Sequence, residues 1–364
     1  MVTVEEQIAE IEKEIAKTQK NKATEYHIGS LYGKIAKLKQ KAEKQSSGGN
    51  KGVQYSIKKS GDATVALIGF PSVGKSTLIN SITNAKSEVA AYEFTTLAPI
   101  PGIMDYKDAK IQIVDLPGII GDASKGKGRG REILSAVRAA DLILILLDAA
   151  KLEHLDIIGQ EMYNAGVRLD RKPPKVFFKR TFKGGINVLS TYELTRITPD
   201  IIRQTMISFG FINGEVIIRE DVSPDDFIDA LLDNRHYVPS LIVVNKCDVL
   251  GENKLKLLKK KFPKETIYIS AKNKKGLDNL KATIFDMTRI IRIYLKPKGQ
   301  PADMDKPIIL HQGDRIYDLC LKIHKQFVEF FRYALVWGPS AKFDAQKLGL
   351  NHELKDGDVV TIVI

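Results

Sequence analysis

The strongest constraint on this chain is Gly69-Phe70-Pro71-Ser72-Val73-Gly74-Lys75-Ser76, set between two stretches of different periodicity. Before it, Thr64-Val65-Ala66-Leu67-Ile68 is apolar and β-branched, the pattern of a buried strand. After it, Thr77-Leu78-Ile79-Asn80-Ser81-Ile82 carries apolar residues at helical spacing. A Gly-x-x-x-x-Gly-Lys-Ser string at a strand-to-helix turn is a phosphate-binding loop in its required context; the bland alternative is a glycine turn that binds nothing. The glycines let successive N–H groups and a helix N-terminus converge on one anion, Lys75 reaches the outer phosphates and Ser76 ligates Mg²⁺. Alone, the loop from Gly69 to Thr77 specifies only a nucleoside triphosphate.

Three later motifs narrow the ligand. Ile111-Gln112-Ile113-Val114 reads as a strand ending in Asp115-Leu116-Pro117-Gly118, where a carboxylate holds the water shell of a magnesium ion and a glycine N–H meets the γ-phosphate. Leu241-Ile242-Val243-Val244 ends in Asn245-Lys246-Cys247-Asp248, and Thr266-Ile267-Tyr268-Ile269 ends in Ser270-Ala271-Lys272. Guanine offers N1–H and a 2-amino group side by side, which one carboxylate accepts together; adenine offers neither. Asp248 therefore reads guanine, Lys246 covers the ring, Asn245 braces the loops, and the Ala271 N–H meets O6. A carboxylate left unpaired by the wrong base discriminates by ~10⁴-fold.

With Phe94-Thr95-Thr96-Leu97 added, these motifs resemble the Obg superfamily of translation-factor-class GTPases. The short helical N-terminus, an insertion before Asn245 and a C-terminal extension are similar to the developmentally regulated GTP-binding branch, over nearly the whole chain. The resemblance implies an α/β fold: a parallel-sheet GTPase domain, an α+β insert similar to the second domain of ribosomal protein S5, and a C-terminal β-grasp TGS domain. It implies that Thr96 completes the Mg²⁺ shell beside Ser76 and Asp115. Small Ras-like GTPases carry a water-positioning glutamine after the glycine equivalent to Gly118, where this chain has Ile119. An isoleucine cannot orient water, so slow intrinsic hydrolysis is expected and no catalytic residue is assigned. The missing help comes from a monovalent cation such as potassium, from a partner, or from the phosphate itself. Potassium-binding relatives carry asparagine where Ser72 stands.

The glycine-rich, basic run from Gly121 to Arg131 reads as a second switch segment, ordered by a γ-phosphate or a partner. Expected domains are a helical hairpin and linker at 1–60, a GTPase domain at 61–296 with the insertion at 167–238, and the TGS-like domain at 297–364. In the first, Val4, Ile8, Ile11 and Ile15, then Ile28, Leu31, Ile35 and Leu38, follow helical spacing on either side of Asn21–Thr24. A solvated hairpin and a docking or RNA-touching arm are both open. Within the insertion, strands are expected at Lys175–Phe182, Ile186–Leu189 and Glu215–Arg219, with helices after Thr198-Pro199 and Ser223-Pro224. Lys175, Lys179, Arg180 and Lys183 make a basic hairpin there, solvated by default and facing ribosomal RNA on the sharper reading. The last strand, Val359–Ile364, is apolar and expected to be central.

The net charge of +12 favours a polyanionic partner, with RNA or the ribosome first. Two cysteines, Cys247 and Cys320, indicate neither a disulfide scaffold nor a thiolate metal site and suit a cytoplasmic protein. The longest apolar run, Leu142–Leu147, is too short for a bilayer, so no membrane partner is expected; nor is an oligomer. The six scattered histidines lack ligand spacing. The expected activity is a GTP switch that engages ribosomes; the resemblance adds a dedicated partner protein as a candidate partner, since eukaryotic relatives pair with one. The alternative is a nucleotide-gated RNA-binding scaffold with incidental hydrolysis; an ATP-using kinase or transferase is disfavoured by Asp248.

Overall fold

The structure is a computed structural model describing residues 4–19, 21–45, 60–83, 101–116, 137–262 and 265–364. These form two compact units: one combines the N-terminal helices with Tyr163–Tyr237, the other the remaining described residues.

The larger unit is built on a six-stranded sheet in the order β11-β10-β4-β1-β3-β2. Its strands are β1 (Ala63–Ile68), β2 (Pro101–Tyr106), β3 (Ala109–Asp115), β4 (Leu142–Asp148), β10 (Ser240–Asn245) and β11 (Ile267–Tyr268). All neighbours run parallel except β2, which turns through Lys107 and Asp108 into the antiparallel β3. Both turn residues have positive φ, 48° and 64°, as a two-residue hairpin of matching twist requires. Leu142–Leu147 is buried throughout and lies between β1 and β10, the two-sided burial expected of a central parallel strand. β1 lies between β3 and β4, the strands that follow it on opposite sides, so the C-terminal edge beside β1 is a topological switch point, where such sheets bind ligands.

The C-terminal part of this unit is a five-stranded sheet in the order β13-β12-β16-β14-β15. It comprises β12 (Ile290–Leu295), β13 (Ile308–His311), β14 (Tyr333–Trp337), β15 (Gln346–Leu348) and β16 (Val359–Val363). The last strand is central, as expected. One face packs Ile291, Ile293, Val336 and Val360 against Ile316, Leu319 and Cys320 of the helix Ile316–Ile323. This sheet starts earlier than the composition shift at 297, because β12 pairs with β13 and β16. Ile290 and Ile309 also join the core beneath the six-stranded sheet.

In the smaller unit, helices Val4–Lys17 and Glu25–Gln45 flank a turn in which Asn21 Oδ1 accepts from the Thr24 N–H at 3.0 Å. β5 (Val167–Leu169) pairs with β9 (His236–Val238). The insert contributes β6 (Val176–Arg180), β7 (Ile186–Ser190) and β8 (Gly214–Ile218), with helices Pro199–Phe209 and Pro224–Leu232 capped by Thr198 and by a Ser223–Asp226 capping box. The expected basic hairpin is not a hairpin: β8 lies between β6 and β7, antiparallel to one and parallel to the other. The apolar stripe of the N-terminal pair is not solvated either. Ile15, Ile28, Leu31 and Ile35 share a core with Ile201, Ile202, Met206 and Phe227 of the insert.

Helix Glu25–Gln45 approaches helix Pro199–Phe209 through Gly29 and Gly33. A Cβ at Gly33 would lie 2.2 Å from Ser208 Cβ, and one at Gly29 2.6 Å from Gln204 Cβ. Overpacking of this kind costs ~1–3 kcal/mol, more than the ~1 kcal/mol of helix propensity gained by removing glycine. Gly33→Leu is expected to expose this helix to hydrogen exchange and lower its protection by about 2 kcal/mol. Unchanged protection in the exchange profile would contradict the close crossing.

Candidate functional site

The four parallel strands that lead into motif residues, β1, β3, β10 and β11, deliver them to one edge of the larger unit. Gly69 follows β1 so closely that a Cβ there would meet the Leu146 carbonyl at 2.5 Å. Ser72 has φ 64° and Gly74 φ 98°, so the chain alternates hand as it turns into helix Lys75–Ile82, the geometry that makes a nest of N–H groups. A Cβ on Gly74 would strike Asn245 Nδ2 at 2.5 Å, which explains the glycine. Val73 is buried in the core, whereas Pro71, Ser72, Ser76 and Thr77 are exposed. Lys75 Nζ donates to the carbonyls of Gly69 at 3.0 Å and Phe70 at 3.3 Å, which holds the ammonium over the loop.

Asp115 ends β3, and its Oδ1 is buried without a hydrogen-bond partner. Burial raises its pKa, and the Lys75 charge opposes that rise. An orphaned carboxylate oxygen is costly unless a cation or its water shell satisfies it. Ser76 places a hydroxyl in the first helical turn. One carboxylate and one hydroxyl, without a cluster of three acidic, histidine or cysteine ligands among the described residues, suit a Mg²⁺ that takes its other ligands from phosphate and water. Thr96, Gly118, Ile119 and the run from Gly121 to Arg131 lie outside the described residues.

Asn245 joins the phosphate loop to the base-reading loop. Its Nδ2 donates to the Val73 carbonyl at 2.9 Å, and its Oδ1 accepts from the Ala271 N–H at 3.0 Å. That second bond modifies the expected role of Ala271: the amide thought to face guanine O6 is engaged by the buried carboxamide beside it. Asp248 stands exposed on a 3₁₀ turn (Cys247–Val249), and the Ser270 hydroxyl holds its carboxyl below the usual range, assisted by Lys272 and Lys275. Lys246, at φ 63°, sends Nζ to the Ser72 carbonyl at 2.8 Å.

Two participants escaped the sequence reading. Asp148 Oδ2 accepts from Lys246 Nζ at 2.8 Å while its Oδ1 takes the Ala150 N–H, so this carboxylate anchors the lysine meant to cover the base. Its signal was an acid at the C-terminal end of an apolar strand, the same feature that marked Asp115. His154 stacks on Phe70, with ring centroids 3.8 Å apart, and its buried Nδ1 has no partner.

Comparisons with known proteins agree with this geometry. A family model described as a 50S ribosome-binding GTPase matches residues 64–180, one for the C-terminal region of that domain matches 183–290, and the TGS domain model matches 291–364. The chain is 44% identical to developmentally-regulated GTP-binding protein 2 of Homo sapiens over 360 residues, covering 98% of each chain. It is 46% identical to developmentally-regulated G-protein 2 of Arabidopsis thaliana, covering 98% of this chain and 90% of that one. The chain belongs to the developmentally regulated GTP-binding protein family. A GTP-binding protein of Methanocaldococcus jannaschii is 52% identical over 99% of this chain and 93% of its own length. As a member of this GTPase family the chain carries a P-loop GTPase domain and a TGS domain, and the five-stranded C-terminal sheet is that TGS domain. No helix among the described residues is long and apolar enough to cross a membrane.

Proposed function

We propose that this developmentally regulated GTP-binding protein is a Mg²⁺-dependent GTP switch of the cytoplasm that acts on the ribosome. The observation carrying the reading is the double bond set of Asn245, which ties the phosphate loop and the base-reading loop into one pocket. Within it, Gly69 to Thr77 cradle the phosphates, with the N–H groups of Phe70, Ser72, Val73 and Gly74 nearest the anion and Pro71, which has no N–H, shaping the turn. Ser76, Asp115 and Thr96 hold the Mg²⁺, which neutralises developing phosphate charge when bound. Asp248 accepts the guanine donors, steadied by Ser270 and Lys272, while Lys246 lies along the base and Ala271 closes its edge.

Ile119 supplies neither base nor donor, so turnover is slow until a partner protein, the ribosome or a potassium ion completes the site. Moving the chain between two states at 1:99 and 99:1 takes ~5.5 kcal/mol of preference from the γ-phosphate. A few charge-assisted hydrogen bonds supply that. The ribosomal partner is supported by the net charge of +12 and by the description of the family model that matches the GTPase region.

The test is ribosome co-sedimentation in GDP against a non-hydrolysable GTP analogue, with single-turnover hydrolysis measured alongside. A preference for the triphosphate form, with hydrolysis accelerated at least tenfold by ribosomes, is the expected result. Pelleting indifferent to nucleotide, with no acceleration, would replace the switch by an RNA-binding scaffold. Equal turnover in sodium and potassium buffers would remove potassium from the mechanism.

A further inference from the structure

The insert carries a sheet with two unlike faces. One side, through Val176, Phe178, Val188 and Val216, packs on its own helices. Among the described residues, the opposite side has no such cover. Phe177, Ile217 and Leu189 stand side by side across the three strands, in register Phe177↔Ile217 and Leu189↔Ile217. Phe177 is 54% exposed and Leu189 44%. An aromatic and two aliphatic side chains in one outward-facing row form an apolar patch that soluble proteins keep small unless something binds there.

The charges around the row identify what binds. Along one flank lies Lys179, paired across the sheet with Glu215. Along the other lie Lys175 and Arg219, whose backbones are joined by an Arg219 N–H to Lys175 carbonyl bond of 3.0 Å. The Arg219 guanidinium sits 5.3 Å from the centre of the Phe177 ring, a cation already stacked on the aromatic. Beyond Lys179, the loop holding Lys183 is fixed by Asn213, which donates to the Phe182 carbonyl and accepts from the Gly185 N–H, while the Phe182 ring stands fully exposed. Arg180, grouped with these cations by the sequence, lies over Phe211 on the other side. Lys175, Lys179, Lys183 and Arg219 thus outnumber Glu215 and Glu220 around an exposed aromatic. Rings for bases and flanking cations for phosphates are what an unpaired nucleic acid strand requires.

We propose that this outer face of the insert sheet binds single-stranded RNA, with a base stacked on Phe177 and phosphates along Lys179 and Arg219. The proposal deepens, and rests on, the ribosomal RNA partner proposed above. The experiment titrates the full chain into a fluorescein-labelled unpaired RNA 12-mer at several salt concentrations, with ribosome co-sedimentation run in parallel and GDP binding used to verify folding. Phe177→Ala/Leu189→Ala is expected to weaken RNA binding about tenfold or more. Lys179→Ala/Arg219→Ala is expected to weaken it and to lower the slope of log affinity against log salt by about 1.4. Wild-type affinity in both variants, with the parent still pelleting with ribosomes, would overturn this face and leave the ribosomal reading standing. Variants that keep RNA affinity but lose pelleting would assign the face to a protein, which also overturns the proposal. A parent that neither binds the RNA nor pellets would bring down the ribosomal reading and this one together.

Discussion

Asp248→Asn is expected to lower GDP and GTP affinity by about three to four orders of magnitude and to raise affinity for xanthosine diphosphate. Guanine presents two donors, and the carboxylate answers with two acceptors. The carboxamide has one acceptor and one donor, so one guanine donor faces an N–H while the other keeps only a neutral acceptor. Xanthine has an oxygen in place of the 2-amino group and restores the match. The loss of one charge-assisted bond at ~1.5–3 kcal/mol, an unpaired donor facing an N–H at ~1–3 kcal/mol and the weakening of the second bond account for the size of the effect, as does the ~10⁴-fold rejection typical of sites built around a paired polar group. The fold should survive, because Asp248 is exposed. Its carboxyl is held below the ordinary range by Ser270, so the charged form is complete at neutral pH. Affinity is therefore flat from mild acid to neutrality and falls only as pH drops through the lowered pKa. Calorimetric titration with guanosine and xanthosine diphosphates measures the exchange; equal GDP affinity in parent and variant would remove Asp248 from base recognition.

How much of this was legible in the sequence follows from the range of the forces involved. The phosphate loop and base-reading residues were readable because each sits immediately after a strand, so local pattern and chemistry coincide on consecutive residues. Capped helices such as Pro199–Phe209 and Pro224–Leu232 were readable for the same reason: Thr198 and Ser223 act on backbone groups a few residues away. What escaped was long-range. Gly29 and Gly33 look like weak points in a helix until Gln204 and Ser208 are brought against them. The order β6-β8-β7 depends on a strand 34 residues after the end of the first, so adjacent strands suggested a hairpin that the sheet does not contain. Asp148 was hidden by its own strand, since the apolar run before it explained its place without revealing that Lys246 would reach it.

The same limitation hid Asp229, whose removal is the other change of large effect. The sequence offers it as one acid in a helix; the structure buries it between Arg168 and Arg235, with side chains 2%, 3% and 7% exposed for Arg168, Asp229 and Arg235. Arg168 grips it through Nε and through Nη2, the latter at 2.8 Å, and Arg235 Nε adds a third bond at 2.9 Å. Arg168 also lies 3.7 Å from the Tyr163 ring centre, and burial together with nearby carboxylates pushes Tyr163 and Tyr237 up to about 12, so neither phenol relieves the site by ionising near neutral pH. Asp229→Asn keeps the shape but leaves two buried guanidinium groups facing a neutral amide. Breaking such a network from one side costs ~3–5 kcal/mol, a large share of the ~5–15 kcal/mol that holds a domain together. Because the chain has two units, hydrogen exchange resolved by segment is the right measurement. Protection should collapse through Tyr163–Tyr237 and helix Glu25–Gln45, while the core strands β1, β4 and β10 keep theirs. A loss below about 1 kcal/mol across that segment would mean that the two arginines do not depend on Asp229 for their charge balance.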